Sequence, residues 1–589
     1  MSGDGLRQEI RLRMICDDGA PRRRDDAAKG SAGSSPGLRL HLCGALFLGV
    51  FAVLSARLAY VSFGMNEEVR VIRAETRSVP RPEVVDRNGR PLIMNRTARG
   101  LAIDGREVWD AGEVVASLVR LFPDIDAARL RDRLENKQYT LVLDSLGPEE
   151  RQQVVALGLP GIKFPPTTHR AYPQKDLAAH VVGYTIPGRG GATGIERALD
   201  TIAAFEETAR HRLSIDVVAQ QVVEDELTRA MRRFDAKAAW GVLLDIETGE
   251  VRALASLPDY NPNRPGASAD ADRRNRAMSD VYELGSAFKA ITLASAVDHG
   301  VVTLTDEFDV RTPVDVGGWE IDDYSFKKPV MTVSEILQYS SNIGTVHIVE
   351  KLGLEAFLET LKAVGLDDRL KTELPEAASP LLSRDWRPAE LATSAYGHGI
   401  AVSPLQLTAA FAAVVNGGVY RVPTFIADAP REGRQVFADE TSARMRIVLR
   451  RAVTDGTGGN AEAPGYYIIG KTATADKPGQ GGYKDDGPLI SSFIGAFPGY
   501  APRYAMLLSL DEPKRIEDTG GYATAGHVAA PVFRRVVERI APSLGIMPVG
   551  DDVAFDGFVG LRRDGVSAED RKGGAELDAL AALLSEAAY

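Results

Sequence analysis

The hydrophobic pattern changes character along the chain. Leu40 to Val61 read LHLCGALFLGVFAVLSARLAYV, about the ~20 apolar residues that span a bilayer as a helix. Arg57 near its end can snorkel to head groups, and Tyr60 suits an interface. The segment 40–62 is therefore expected to be a single transmembrane helix. A signal peptide is the rival reading, and it is weaker because no small-x-small cleavage site follows cleanly and the run is long. Residues 1–39 are polar, with Arg22-Arg23-Arg24 and a Gly/Ser stretch. They read as a disordered cytoplasmic tail acting as a topology signal, although interspersed acidic residues keep the bias modest. Everything after residue 64 then lies outside the inner membrane.

Residues 64–210 form a mixed region. Asp86-Arg87-Asn88-Gly89 is a tight-turn signal between the extended runs Glu83-Val85 and Pro91-Ile93. Arg170-Ala-Tyr172-Pro173 and Gly194-Ile-Glu196 read, taken alone, as turn chemistry with surface charge. From 211 to 548 the pattern is that of an α+β domain. It runs through a helix from Val217 to Met231, a strand Gly241-Asp245, the turn Glu247-Thr248-Gly249 and a paired strand Arg252-Ser256. Ser286 to Val297 is apolar nearly all round, with Gly300 as a stop signal, and predicts a buried central helix. Val333 to Gln338 looks helical and Tyr466 to Ile469 strand-like. The extension 549–589 carries an Ala/Leu-rich helical pattern, Ala575 to Ala588, read as a loosely packed terminal helix ahead of a partner helix.

The 589 residues suffice for two or more domains, and 44% hydrophobic with 26% charged residues argues against wholesale disorder. A net charge of −11 argues against nucleic acid as a partner. No cluster of Cys or His suggests a metal, and no cofactor is implied. The two cysteines, Cys16 and Cys43, both precede residue 64, so the large region after it holds no disulfide, which is compatible with the periplasm. Leu42 before Cys43, and an apolar run after it rather than before, speak against lipid attachment there.

Three short strings carry the candidate chemistry: Ser286-Ala-Phe-Lys289, Ser340-Ser-Asn342 and Lys471-Thr472-Ala473-Thr474. Positions i and i+3 share a helix face, so Lys289 is expected to reach the Ser286 hydroxyl and activate it as a nucleophile. A buried lysine beside another cation, here Lys471, has a lowered pKa and can act as that base. Alone, Ser286 would read as a helix-capping serine with a solvated lysine; the flanking Asn275-Arg-Ala and Tyr282-Glu-Leu-Gly285 change that. The decoy Ser325-Phe-Lys-Lys328 precedes Pro329 with no helical run behind it, and Lys371-Thr372 lacks a second threonine. Ser340 and Asn342 alone would read as a cap or turn. In the functional reading Ser340 relays a proton between the lysines and a leaving group, and Asn342 hydrogen-bonds a substrate peptide. On a strand Lys471 and Ala473 face one way, Thr472 and Thr474 the other. The hydroxyls of Thr472 and Thr474 would grip a carboxylate, helped by the Lys471 charge. The N–H groups of Ser286 and Thr474 would form an oxyanion hole.

Together and in this order, the strings resemble the active-site motifs of penicillin-interacting serine acyltransferases. From the membrane segment to about Phe533 the chain resembles class B penicillin-binding proteins. Arg81 with Asp86-Arg87-Asn88-Gly89, Arg170-x-Tyr172-Pro173, His180-Val-Val-Gly183-Tyr184 and Gly194-Ile-Glu196 are similar to their juxtamembrane and pedestal boxes. Tyr396-Gly-His-Gly399, Pro404-Leu-Gln406, Asn416-Gly-Gly418, Ser492-Phe-Ile-Gly495 and Ala530-Pro531-Val-Phe533 are similar to transpeptidase boxes. Thr248-Gly-Glu-Val, Ser256 to Asn263 and Leu-Ser-Ile-Asp216 look like the division-specific branch. The resemblance implies a pedestal over 64–210 and, over 211–548, an antiparallel sheet flanked by helices, similar to serine β-lactamases. It implies a D,D-transpeptidase cross-linking septal stem peptides on lipid II-derived glycan strands, with β-lactams acylating Ser286. It further implies the FtsW glycosyltransferase and other division proteins as partners. Ala473 stands where the family has glycine, so a methyl group could narrow the site, and Ala473→Gly is expected to speed acylation by a penicillin. Leu284, Ala287 and Pro82 depart from a common proline, threonine and glycine. A β-lactamase or D,D-carboxypeptidase fits a membrane helix and long pedestal poorly. A catalytically silent scaffold and an elongation-specific transpeptidase are the other readings, separable by penicillin labelling and by midcell against side-wall localisation.

Overall fold

The structure, a computed structural model, describes residues 48–55, 81–186, 189–201, 210–325, 327–429, 432–477 and 487–550. The chain divides into two units, 1–79 and 80–589. Of the first, the described part is a helix over 48–55. The expected tail 1–39 and helical pattern Ala575 to Ala588 lie outside the described residues, as does most of the expected span 40–62. No helix among the described residues is long and apolar enough to cross a membrane.

In the second unit the predicted hairpin forms. Strands β1 (Glu83–Val85) and β2 (Pro91–Arg99) pair antiparallel, with Val84 opposite Ile93. Between them Asp86 Oδ1 accepts from Asn88 N at 2.9 Å and Arg90 N at 2.7 Å, and Gly89 adopts φ +84°, which glycine allows without a Cβ penalty. Strands β3 (Pro166–Ala171) and β4 (Arg210–Arg212) complete a sheet of order β3-β2-β1-β4. A three-stranded sheet of Leu101–Asp104, Tyr139–Leu143 and Ile162–Lys163 packs with three helices around a separate small core that includes Leu101, Ile103, Leu118 and Leu134.

The stretches around Arg170 and Glu196, expected to be turn chemistry with surface charge, instead form a buried joint, and the Asp86 turn makes a second one. Asp86 Oδ2 accepts from Val217 N at 3.2 Å, and Asn88 Nδ2 donates to Asp216 Oδ2 at 3.0 Å. The hairpin turn is thereby tied to the N-terminus of helix α1 (Val217–Arg233), which Asp216 caps. Glu196 is fully buried. Its carboxylate accepts from Arg170 Nε at 2.7 Å, Tyr172 Oη at 3.0 Å and Arg81 Nε at 3.1 Å. Arg170 also donates to the Pro82 carbonyl at 2.7 Å. These charges are tolerated inside because each is paired and hydrogen-bonded.

The larger part is built on five antiparallel strands. They are β5 (Ala238–Asp245), β6 (Val251–Leu257), β7 (Ile469–Asp476), β8 (Leu489–Phe497) and β9 (Tyr504–Asp511), in the order β6-β5-β9-β8-β7. The predicted turn closes β5 on β6: Gly249 takes φ +75° while Asp245 Oδ1 accepts from Glu247 N at 3.2 Å. On one face α1 and a C-terminal helix, Ala529–Ile540, pack Val223, Leu227, Phe533 and Val537 against Phe493 and Leu508. The other face carries helix α2 (Lys289–Asp298), followed in the chain by α3 (Val333–Tyr339), α4 (Asn342–Leu352) and the helices Pro404–Val415 and Asp439–Thr454. Lys289 to Val297 of α2 are all buried, which is why its sequence shows no polar face. Pro464 to Tyr466 form a turn, Gly465 and Tyr467 both have positive φ, and the strand begins only at Ile469.

Replacing Glu196 strands the buried Arg170 without a counter-charge. Glu196→Ala is expected to lower unfolding free energy by about 3 kcal/mol, read as a drop in the urea midpoint with an unchanged slope.

Candidate active site

The nucleophile candidate sits on a turn, not on the α-helix expected to begin there. Gly285–Ala287 form a single 3₁₀ turn, and α2 starts at Lys289. Gly285 takes φ +52°. A second glycine, Gly397 at φ +84°, presses against it; a Cβ there would lie 2.2 Å from the Gly285 carbonyl oxygen. Glu283 accepts from Gly399 N at 3.0 Å and pairs with His398 at 3.2 Å, a contact that raises the histidine pKa. The Tyr396-Gly-His-Gly399 box thus braces the turn that presents the half-buried Ser286.

Lys289 is 2% exposed. Its ammonium donates to Ser340 O at 2.6 Å, Asn342 Oδ1 at 2.7 Å and Ser340 Oγ at 3.3 Å. In the protonated form these contacts use all three N–H bonds and leave no lone pair, so the expected hydrogen bond to Ser286 is not formed; it requires the deprotonated amine. The dipoles of Ser340 and Asn342 replace the water that burial removes. Burial first, and then the Lys471 charge, hold the Lys289 pKa well below the usual lysine range, with Asp323 acting in the opposite sense. The Tyr396 ring lies 6.0 Å from the ammonium.

The second string is the joint between two helices. The capping box of Thr332 and Glu335 starts α3. Ser340 ends it in the left-handed region, φ 67°, and Ser341 caps α4 by accepting from Gly344 N at 2.9 Å. This sharp reversal points the carbonyl and hydroxyl of Ser340 and the amide of Asn342 at one lysine. Asn342 Nδ2 donates to Asp322 O at 2.9 Å. Sequence reasoning missed Asp323, which binds Ser341 and the α4 N-terminus from a distant loop. No local spacing signals such a contact. The decoy Ser325 is exposed on that same loop, and Lys371 is exposed too.

The third string lies on β7, the edge of the sheet. Lys471 is fully buried, and that burial lowers its pKa to about 7. It donates to its neighbour's carbonyl, Thr472 O, at 3.1 Å. The Thr472 hydroxyl meets Thr457 Oγ1 at 2.5 Å, and Thr474 Oγ1 accepts from Ala525 N at 3.0 Å, leaving the Thr474 O–H to donate to an anion. A Cβ on Gly285 would lie 3.2 Å from Thr474 O, so the Ser286 turn and the strand edge are adjacent. Ala473 is 2% exposed, pairs with Ser492 and belongs to the core shared with α2. Its methyl fills core space; the expected wall against a substrate has no exposed surface to act through.

Ala473→Gly loses a buried methyl and gains backbone freedom, so it is expected to cost about 1 kcal/mol in a thermal melt and to leave penicillin acylation within about twofold. Lys471 binds a proton more readily unfolded than folded. Stability should therefore rise with pH from about 7 towards the unfolded lysine value of 10.5. Lys471→Met should flatten that slope and gain on the order of 2 kcal/mol near neutral pH, measured by urea unfolding across pH.

With the geometry in place, comparison with known proteins identifies the lineage. The Penicillin binding protein transpeptidase domain matches residues 239–538, and the Penicillin-binding Protein dimerisation domain matches 76–207. The chain is 41% identical over 482 residues to a probable peptidoglycan D,D-transpeptidase FtsI of Caulobacter vibrioides, covering 79% of this chain and 82% of that protein. It is 28% identical to the peptidoglycan D,D-transpeptidase FtsI of Escherichia coli, covering 86% and 92%. A crystal structure of penicillin binding protein 3 from Mycobacterium tuberculosis, complexed with aztreonam, superposes with a TM-score of 0.61 at 25% identity, covering 80% of this chain and 97% of that one. The chain belongs to the class B penicillin-binding proteins, of the FtsI or penicillin-binding protein 3 type.

Proposed function

We propose that this protein is a septal peptidoglycan D,D-transpeptidase working through an acyl-enzyme on Ser286. The observation that carries the reading is Lys289: a desolvated amine three residues from Ser286, held by Ser340 and Asn342 with a second buried lysine close by. A lysine whose pKa is lowered gives up its ammonium proton more readily, and the amine so formed has a lone pair to take the serine proton. In apo geometry such a contact is often unformed and tightens only when substrate binds.

Ser286 Oγ attacks the carbonyl carbon of the penultimate D-Ala of a donor stem, and its proton passes to neutral Lys289. The N–H groups of Ser286 and Thr474 hold the resulting oxyanion. The carbon–nitrogen bond then breaks, and the leaving nitrogen takes a proton relayed from the lysines through the Ser340 hydroxyl, releasing D-Ala. An amine from a neighbouring stem attacks the Ser286 ester, a new amide forms, and Ser286 recovers its proton. Asn342 retains one N–H for the donor peptide. Thr472, Thr474 and the Lys471 charge receive the terminal carboxylate. A β-lactam enters by the same attack, its ring C–N bond breaking in place of the peptide bond.

The open edge of β7 supports an extended donor stem laid alongside the strand. The apolar run at 40–62 supports a single-pass anchor in the inner membrane, with the N-terminus cytoplasmic and the enzyme in the periplasm at the septum. FtsW and other division proteins are the partners that this placement implies. A fluorescent penicillin is expected to label the purified protein stably, and Ser286→Ala to abolish labelling. Lys289→Ala should slow it by more than about 10²-fold, with circular dichroism checking that the variant is folded. Equal labelling of wild type and Ser286→Ala would overturn the assignment.

A further inference from the structure

The loop between Ile321 and Val330 is polar and has no regular structure of its own where described, yet it reaches the centre of the site. Asp323 Oδ2 accepts from Ser341 Oγ at 2.7 Å, and Oδ1 accepts from Ile343 N at 3.1 Å and from Asn342 N. One residue earlier, the Asp322 carbonyl takes the Asn342 side-chain N–H at 2.9 Å. Asn342 in turn accepts from Lys289 at 2.7 Å. The half-buried carboxylate therefore closes the N-terminus of α4, where backbone N–H groups and the helix dipole favour an anion. It does so beside a point of backbone strain, since Ser340 is held at φ 67° and ψ 39° between α3 and α4.

We propose that Asp323 is a positioning residue for the transpeptidation reaction: it clamps the Ser340-Ser341-Asn342 joint so that Asn342 and Ser340 hold Lys289, and its charge sets the pH range in which that lysine acts as base. The inference rests on the assignment of Lys289 as the base of Ser286. The groups facing Lys289 are few. Lys471 lies across on β7, Asp323 on this loop, and the Tyr396 ring on the bracing box, with the Glu283–His398 pair beyond it. Asp323 is the one whose negative charge favours the protonated lysine. Its role is thus double: geometry that aids the reaction, and a charge that restrains how far the lysine is driven neutral.

The two effects separate experimentally. Asp323→Asn keeps an acceptor oxygen but removes the charge. Lys289 would then lose its proton at lower pH. In second-order acylation by a fluorescent penicillin measured from pH 5 to 9, the acid limb should move to lower pH. The plateau rate should fall about tenfold as three charge-assisted contacts weaken. Asp323→Glu should return the acid limb towards wild type with a partial recovery of rate. Ser325→Ala, exposed on the same loop, should change nothing. A profile for Asp323→Asn that superposes on wild type would overturn the proposal. So would a fall in plateau with no shift of the limb, or an Asp323→Asn that fails to fold while Asp323→Glu is fully active; either marks a structural cap alone. If the wild type itself is not acylated at Ser286, it is the reading of the active site that fails.

Discussion

Two lysines buried within one electrostatic reach set the terms for the rest of the site. A single ammonium removed from water is costly, and a second one nearby makes both costlier. The chain meets this cost with fixed dipoles: the Ser340 carbonyl, the Asn342 side-chain oxygen and the Tyr396 ring gather around Lys289, while Lys471 leans on its own strand. The compensation is partial, and the residue of it is a depressed pKa. Chemistry needs that incompleteness, because a fully solvated ammonium has no lone pair to offer a serine.

The surrounding fold reads as the means of holding that arrangement. Ser340 is kept in the left-handed region by a capping box before it and a capped helix after it. Ser286 is kept on its turn by glycine packed on glycine, Gly285 against Gly397. The same economy of paired charge appears at the joint between the two halves of the second unit. Asp86 ties its turn to α1, and Glu196 gathers Arg81, Arg170 and Tyr172. These buried polar contacts are geometrically exacting, so they fix the register of the joint where apolar packing alone would tolerate sliding.

Much of this was legible in the chain. Short-range physics made the hairpins at Asp86 and Gly249, the helix at Val217 and the unbroken apolar face of α2 readable, because turn chemistry and periodicity act over a few residues. The three strings were readable as a set because chemistry restricts the residue types that can serve. What escaped was long-range. Arg170 and Glu196 look like surface charge until folding brings them together, 26 positions apart. Asp323 lies 18 residues before the serine it binds, on a loop whose visible feature was a decoy. Ala473 could be seen as a departure, but not as a buried methyl, since burial on a strand depends on what packs above it.

The site depends most on the depressed pKa of Lys289, lowered by burial and by the Lys471 charge. The direct measurement is a heteronuclear NMR titration of the Lys289 Nζ or Cε signal, assigned with Lys289→Arg, in the folded protein free of ligand. The account predicts titration far below 10.5, the ordinary lysine value, and a shift towards that value in Lys471→Met as the neighbouring charge is removed. Titration of Lys289 near its ordinary value, unaltered by loss of Lys471, would contradict it.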